Sequence, residues 1–351
     1  MSHWVTLKPS GHRYEVPEDK SILHAGLEAG FAMPYSCKTG VCRTCRGTVL
    51  EGRVDYGMVH PTYLPESDKA KGYALLCQAK PQSDVVVEVH ELEGLTGIRP
   101  RVVPCRVAKI DRPAPDVAIL RLRLPMNENM RFLAGQYIEI LLPEGKRRNY
   151  SIASPPTAEG VTALELHIRR TPGGLFSDHA FSRMKERDLL RFEGPAGTFY
   201  VRENSDRAIV MVASGTGFGP IKAMCEMAFE RGIVAQRPIT LYWGCRTKQD
   251  LYMLDLPSQW AQQHRGFRFV PVLSDPSPEC AWTGRTGFVH RAVMADFPDM
   301  SGAQVYACGA PVMVDAARRD FVEQCRLPAE EFFADSFLTE ADRAPAAAAF
   351  S

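Results

Sequence analysis

Three rhythms of apolar and polar positions follow one another along the chain. In the first 92 residues, short alternating runs surround one helical stretch. WVTLKP and RYEV predict a hairpin turned at Ser10–Gly11, and SILHAGLEAG predicts a short amphipathic helix stopped at Gly30, a residue suited to the position after a helix. GTVLEG and VVVEVH read as strands. From residue 101 to about 202 the period becomes two, in RVAKI, VAILRLRL, QYIEILL, NYSIA, ALELHIRR and LLRFEGP, with turn residues between. That rhythm predicts a small antiparallel barrel. From about 206, apolar strands (AIVMVAS, ITLYWG, FRFVPVL, VYACG) alternate with helical patterns such as IKAMCEMAFERG and PVMVDAARRDFVEQC. Such alternation predicts an open parallel α/β sheet. ELEGLTGIRP, polar and Gly/Pro-containing, is expected to be a linker, and the Ala-rich ADRAPAAAAFS a disordered tail.

Composition narrows the function classes. A chain of 351 residues suits several domains, and 45% apolar with 24% charged residues is globular composition without a bilayer-length apolar run. Net charge of +1 argues against a general nucleic-acid binder, which needs a large basic excess. The first residues, MSHWVTLKPSGHRYEV, lack a charged n-region followed by an apolar core, so the expectation is a cytoplasmic protein without a membrane partner. The ten cysteines then point to metal binding or buried thiols rather than disulfides. Cys105, Cys225, Cys245, Cys280 and Cys325 are scattered and read as small apolar residues.

The other pattern is specific. Cys37, Cys42 and Cys45 form C-x4-C-x2-C, and Cys77 follows in YALLCQAKP. This is the spacing of a plant-type 2Fe–2S cluster, in which one tight loop gives three thiolates and a distant strand the fourth. Gly40 gives that loop a residue tolerant of positive φ. Zinc sites generally use two close pairs of ligands, whereas this chain has a triplet and a single.

Further motifs occur in a fixed order: Arg148-Asn149-Tyr150-Ser151; His167-Ile168-Arg169 ahead of Gly173-Gly174-Leu175-Phe176-Ser177; Gly215-Thr216-Gly217-Phe218-Gly219-Pro220; and Cys308-Gly309. In this order the set resembles the ferredoxin–NADP⁺ reductase superfamily. With a cluster loop at the N-terminal side, the chain is similar to the reductase components of bacterial oxygenases and to the CDP-6-deoxy-Δ3,4-glucoseen reductases of deoxysugar dehydration. One departure is Arg43, which stands where many relatives have glycine. The resemblance implies a β-grasp ferredoxin domain over 1–93, an antiparallel β-barrel flavin domain over 101–203 and a parallel α/β nucleotide-binding domain over 204–338, with the tail at 339–351.

The resemblance also implies roles. Arg148 would pair with the flavin pyrophosphate, Tyr150 pack on the isoalloxazine, and Ser151 approach N5, with Asn149 between them. His167, Ile168, Arg169, Gly173, Gly174, Phe176 and Ser177 would complete the FAD site, where glycines and a helix N-terminus suit a pyrophosphate. Gly215, Thr216, Gly217 and Pro220 would hold the nicotinamide nucleotide, with Cys308 and Gly309 beside its reactive carbon. Phe333 and Phe337 match an aromatic segment that covers the flavin in relatives, and core packing is the other reading of them. Arg246 is placed near the adenosine ribose, and Asp250 would repel a 2′-phosphate, favouring NADH, with NADPH possible. Ser151, Cys308 and Phe337 are the candidate catalytic residues. The implied activity is an NAD(P)H-dependent oxidoreductase passing electrons from NAD(P)H to FAD to 2Fe–2S and on to a partner. A terminal oxygenase, Rieske-type first, is the expected acceptor. A deoxysugar dehydrase is the alternative, as is a carrier subunit without turnover of its own. The chain is expected to be a monomer when isolated. Lys38, Arg43, Arg46 and Arg53 against Glu51 make a basic rim around the cluster loop, suited to an acidic partner.

Overall fold

A computed structural model describes residues 2–92 and 98–337. These residues divide into two compact units, which part at Ile98 and Arg99. Residues 93–97 of the expected linker and all of the expected tail lie outside the described residues.

In the first unit β1 (Ser2–Lys8) turns at Gly11 into β2 (Arg13–Pro17), as the alternation predicts. Helix α1 (Ile22–Glu28) follows, started by Ser21, whose hydroxyl accepts the His24 N–H at 3.3 Å. The remaining elements are β3 (Arg46–Glu51), β4 (Val54–Asp55), α2 (Glu66–Lys69), β5 (Tyr73–Leu75), β6 (Lys80–Pro81) and β7 (Val85–Glu88). The main sheet runs β2-β1-β7-β3-β5, with β1 and β7 parallel and the other pairs antiparallel. That mixed sheet with one helix packed against it is a β-grasp. Its core buries Val5, Leu7, Val16, Ile22, Leu23, Leu76 and Val87, and the loop joining α1 to β3 carries three of the four spaced cysteines.

The second unit begins with a barrel. Strands β8 (Arg101–Ala114), β9 (Val117–Arg123), β10 (Tyr137–Leu141), β11 (Arg147–Ser151), β12 (Ala163–Arg169) and β13 (Leu189–Ala196), with α3 (Leu175–Ser182) between the last two, form an antiparallel sheet ordered β11-β10-β13-β8-β9-β12. A bridge between Ile152 and Leu166 closes it by joining the two ends.

An all-parallel sheet follows, β17-β16-β15-β14-β18-β19, built from β14 (Ala208–Ser214), β15 (Ile239–Cys245), β16 (Phe267–Leu273), β17 (Arg285–Thr286), β18 (Ala303–Gly309) and β19 (Phe332–Ser336). Its helices are α4 (Phe218–Glu230), α5 (Ile233–Gln236), α6 (Asp255–Gln263), α7 (Val289–Asp296) and α8 (Pro311–Gln324). The central strands are apolar on both faces because both faces are covered. Ile209, Met211, Leu241 and Trp243 pack with α4, Trp260 of α6, and Phe199 and Ile119 of the barrel. Val210, Val212, Tyr242 and Val305 pack with α7 and α8. Helix α7 is one that the apolar pattern did not predict. The aromatic segment EEFFADSFL contains a further parallel strand, β19, beside β18.

Candidate functional site

Four thiols occupy one end of the β-grasp unit. Gly40, at φ +81°, lies so close to Gln78 that a Cβ would stand 2.9 Å from the Gln78 side chain. The cluster loop is thereby pressed against the residue following Cys77. Backbone N–H groups point at sulfur: Cys37 N–H lies 3.5 Å from Cys42 Sγ, and Thr39 N–H 3.3 Å from Cys37 Sγ. The thiols pair off, Cys37 with Cys42 and Cys45 with Cys77, each pair within hydrogen-bonding reach. Among the described residues no three His, Cys, Asp or Glu side chains gather as a single-ion site would. Two pairs of thiols, met by backbone donors, fit a two-iron cluster instead. Arg43 takes φ +61°, a left-handed conformation that costs a non-glycine residue about 1–2 kcal/mol. Its guanidinium Nη2 donates to the Thr62 carbonyl and ties the loop to the following segment, which offsets that cost.

In the second unit, β11 presents Arg148, Asn149, Tyr150 and Ser151 in sequence. Tyr150 packs on Phe176 of α3 with ring centroids 5.1 Å apart, and Arg148 Nη1 donates to the Arg147 carbonyl at 2.8 Å. The turn before α3 has Gly173 at φ +77° with open space where a side chain would project. Gly173 N–H donates to Asp178 at 2.9 Å. Ser177 folds its hydroxyl back onto the Thr171 and Gly174 carbonyls, and no side chain caps the helix start. An uncapped helix start behind an open glycine turn fits a pyrophosphate.

The parallel sheet places its motifs at the carboxyl ends of the adjacent strands β14 and β18, the crevice in which open α/β sheets bind ligands. Gly215, Thr216 and Gly217 form a single 3-10 turn, and α4 starts at Phe218, with Pro220 buried in its first turn. A Cβ on Gly217 would stand 2.2 Å from the Cys308 carbonyl oxygen, so only glycine allows the two strand ends to meet. Gly309 opposes Ser214, whose hydroxyl accepts the Ala310 N–H at 2.9 Å. The Trp243 indole donates to the Gly215 carbonyl at 3.0 Å, and its ring stacks on Phe218 at 4.0 Å.

Cys308 is fully buried, and burial, followed by the charge of Asp335, pushes its thiol well above the usual range. The β18–β19 register sets Asp335 opposite Cys308, and Ser151 Oγ donates to the Asp335 carboxylate at 3.3 Å. Ser151, Cys308 and Asp335, from three strands, thus meet in one place. Phe337 N–H donates to the Gly309 carbonyl at 2.8 Å. Phe333 instead stacks on Tyr306 at 5.0 Å, with the Arg202 guanidinium 4.8 Å from its ring, the packing of a core residue.

Four residues singled out in the sequence have surroundings that the motifs did not show. Arg169 reaches the nucleotide turn: a Cβ on Gly215 would stand 2.8 Å from its Nη1, and its Nη2 pairs with Asp116 at 2.7 Å and Asp250 at 3.6 Å. The ring of His167 is wholly engaged, with the Tyr252 hydroxyl 2.7 Å from Nδ1 and Glu165 3.1 Å from Nε2. Asp250 accepts from the Thr247 N–H and hydroxyl, at 2.9 and 3.0 Å, so one of its oxygens closes a turn. Arg246 pairs loosely with Asp275 at 3.4 Å on the surface. Sequence reading missed Asp335, Glu165, Lys222 and Tyr252. The signal for the first was an acid inside an aromatic run, and for Lys222 a lysine set among the apolar residues that open α4.

Three family models match the chain: a 2Fe-2S iron-sulfur cluster binding domain over 5–82, an oxidoreductase FAD-binding domain over 104–200 and an oxidoreductase NAD-binding domain over 211–319. The CDP-6-deoxy-L-threo-D-glycero-4-hexulose-3-dehydrase reductase of Yersinia pseudotuberculosis is 41% identical over 96% of this chain and 99% of its own. The phenol hydroxylase P5 protein of Acinetobacter pittii is 36% identical over 98% and 97%. The crystal structure of the Amycolatopsis reductase GcoB, 33% identical, superposes with a TM-score of 0.76 over 95% of this chain and 98% of that one. The chain therefore belongs to the ferredoxin–NADP⁺ reductase superfamily, as an NAD(P)H-dependent electron-transfer reductase that joins 2Fe–2S, FAD and NAD(H) domains and serves a protein acceptor.

Proposed function

We propose that the reductase delivers electrons to a terminal oxygenase acting on a small organic substrate, through a hydride-transfer site built on Ser151, Cys308 and Asp335. The meeting of these three residues at the strand ends carries the reading of the site. FAD, when bound, takes hydride from NAD(P)H and gives up electrons singly, as a 2Fe–2S cluster requires. Arg148 and the start of α3 would hold the flavin phosphates, and Tyr150 and Phe176 its ring. Gly215 to Gly217 and the start of α4 would hold the nicotinamide nucleotide, with Arg169 above the turn as a guanidinium for its diphosphate. Cys308, kept as a neutral thiol, packs without carrying charge into the site. Ser151 donates a hydrogen bond to Asp335, which leaves the lone pairs of its own oxygen free to accept from an N–H. Cys37, Cys42, Cys45 and Cys77 are the cluster ligands in this reading. The domain limits are 1–93, 101–203 and 204–338, and the working place is the cytoplasm.

The acceptor would dock at the basic side of the cluster loop. Arg46 lies over the Tyr73 ring at 4.4 Å and Lys38 over Tyr35 at 5.4 Å, while Arg43 is held to Thr62. The 41% identity to a dehydrase reductase supports a second acceptor, a CDP-hexulose dehydrase. The test is NADH- and NADPH-dependent turnover with a panel of Rieske, di-iron and haem-thiolate oxygenase components and a sugar dehydrase. Oxygenase-coupled turnover is expected, and turnover with the dehydrase alone selects the second acceptor. Lys38→Glu with Arg46→Glu should slow acceptor reduction at low salt and leave dye reduction unchanged. Unchanged rates in both assays would remove the docking proposal.

A further inference from the structure

A lysine is buried where the barrel meets the parallel sheet. Lys222, on the face of α4 turned to the barrel, is only 7% exposed. Its Nζ donates to the Ala153 carbonyl at 3.1 Å and pairs with Glu226 at 3.0 Å and Glu165 at 3.2 Å. Glu165 is held in turn by His167, and His167 by Tyr252. Tyr252 packs edge-on against Trp243 at 5.3 Å, and the Trp243 indole donates to the Gly215 carbonyl. A polar chain therefore runs from Ala153, two residues beyond Ser151, to Tyr252, and the edge-on contact of Tyr252 with Trp243 carries it on to the turn that opens α4. It contains residues of both layers.

The neighbouring contacts make this seam close and singly defined. A Cβ on Gly219 would stand 3.4 Å from both the Ala153 side chain and the His167 ring, so α4 touches the barrel in the turn that also carries Lys222. Ala153 N–H donates to the Glu165 carbonyl at 2.7 Å, and Glu165 N–H to Ser154 Oγ at 3.2 Å, which fixes Glu165 relative to the strand bearing Ser151. A buried ion pair adds little net stability compared with apolar residues of the same shape. It is demanding in orientation, because each misplaced partner is left charged and unsatisfied.

We infer that Lys222 is a positioning residue for hydride transfer: its ammonium pins α4 to the Ala153 carbonyl and Glu165, and so sets the distance between the nicotinamide and flavin sites. This rests on the hydride-transfer site proposed above, with flavin on the Ser151 side and nicotinamide on the Gly215 side. Lys222 does not reach the reacting atoms itself. It acts by holding the two layers in register, where small misplacements weigh heavily on rate.

The test removes the Lys222 and Glu165 charges together, in Lys222→Met/Glu165→Gln, so that neither is stranded by loss of the other, and leaves Glu226, the more exposed partner, in place. Lys222→Gln is made in parallel in case the double variant does not fold. In both, the FAD content and the dissociation constant for NAD⁺ should stay within about twofold, while the limiting rate of flavin reduction in anaerobic stopped flow falls about tenfold to a hundredfold. The long-wavelength charge-transfer absorbance of stacked nicotinamide and flavin should weaken in parallel. Hydrogen exchange in the flavin-free protein should quicken around Ala153 and in α4. Wild-type limiting rate and charge-transfer absorbance in the folded variants would overturn the inference, even with a lowered melting temperature. Failure of the underlying reading is seen separately, as an unaltered protein whose flavin neither NADH nor NADPH reduces.

Discussion

Ser151 and Asp335, 184 residues apart in the chain, share a hydrogen bond of 3.3 Å from the serine hydroxyl to the carboxylate. The bond joins the barrel strand β11 to the edge strand β19, and it brings the serine to the side of Cys308. Ser151→Ala should therefore slow flavin reduction by NAD(P)H about a hundredfold, the usual loss for one active-site hydrogen-bonding group. Asp335→Asn leaves the hydroxyl in place and should cost about tenfold, since Asp335 acts through Ser151. Anaerobic stopped-flow bleaching of the flavin distinguishes the two, and equal rates in both variants and the wild type would discount the pair.

The thiols of the β-grasp unit lead to a separable loss. Cys77→Ala should abolish the visible absorbance of the 2Fe–2S cluster and the reduction of cytochrome c. NADH-dependent reduction of a two-electron dye should continue at close to the wild-type rate, because FAD and nucleotide residues lie in the other unit. A variant that keeps the cluster spectrum would show that Cys77 is not a ligand.

Arg169 provides a choice between two cofactors. Its motif neighbours point to flavin, while its guanidinium lies at Gly215 of the nucleotide turn. A charge-assisted contact of this kind contributes about 1.5–3 kcal/mol. Arg169→Ala should accordingly raise the NAD(P)H dissociation constant about tenfold to a hundredfold, with FAD content unchanged. Loss of FAD with unaltered nucleotide affinity would assign the arginine to the flavin.

The polar seam also sets a pH dependence of stability. Burial pushes the Glu165 carboxyl up, but the His167 hydrogen bond and the Lys222 charge outweigh it and bring it from 4.5 down to about 2. A carboxylate depressed in the folded state contributes stability above its unfolded value, and that contribution is lost as pH falls from about 4.5 toward 2. The loss is on the order of 3 kcal/mol. Burial lowers His167 below its ordinary value despite Glu165. Protonation of the unfolded histidine therefore starts the decline below about pH 6.5. Lys222, Glu226 and Tyr252 face these two groups from the nucleotide side. Chemical denaturation followed by fluorescence of the buried Trp243 and Trp260 should show stability falling across both windows. Glu165→Gln should flatten the lower one, and an unchanged acid slope would rule out this assignment.

Much of this molecule was legible in the chain because its chemistry is local. The spacing of Cys37, Cys42 and Cys45 implies one tight loop, since three thiolates on two irons leave little slack. The glycine turn Gly215–Gly217 stands between an apolar strand and a helical pattern, so its place is read within a few residues. Periods of two and of strand-then-helix declare the barrel and the parallel sheet, because side chains alternate across a strand and repeat along a helix. Short elements such as α2, four residues long, escaped, being too brief for a period to appear.

What the tertiary structure decided is the set of neighbours that no spacing records. Asp335 reaches Ser151 only because β19 joins the parallel sheet next to β18, a pairing over non-consecutive residues. Arg169, Asp250 and the Lys222–Glu165–His167–Tyr252 chain meet only where the barrel is packed on α4. Sequence alone determined which cofactors the protein is built for, through motifs whose geometry lies within a few residues. Folding decided which charged groups stand beside those motifs, because burial forces each of them to find a partner from a distant part of the chain.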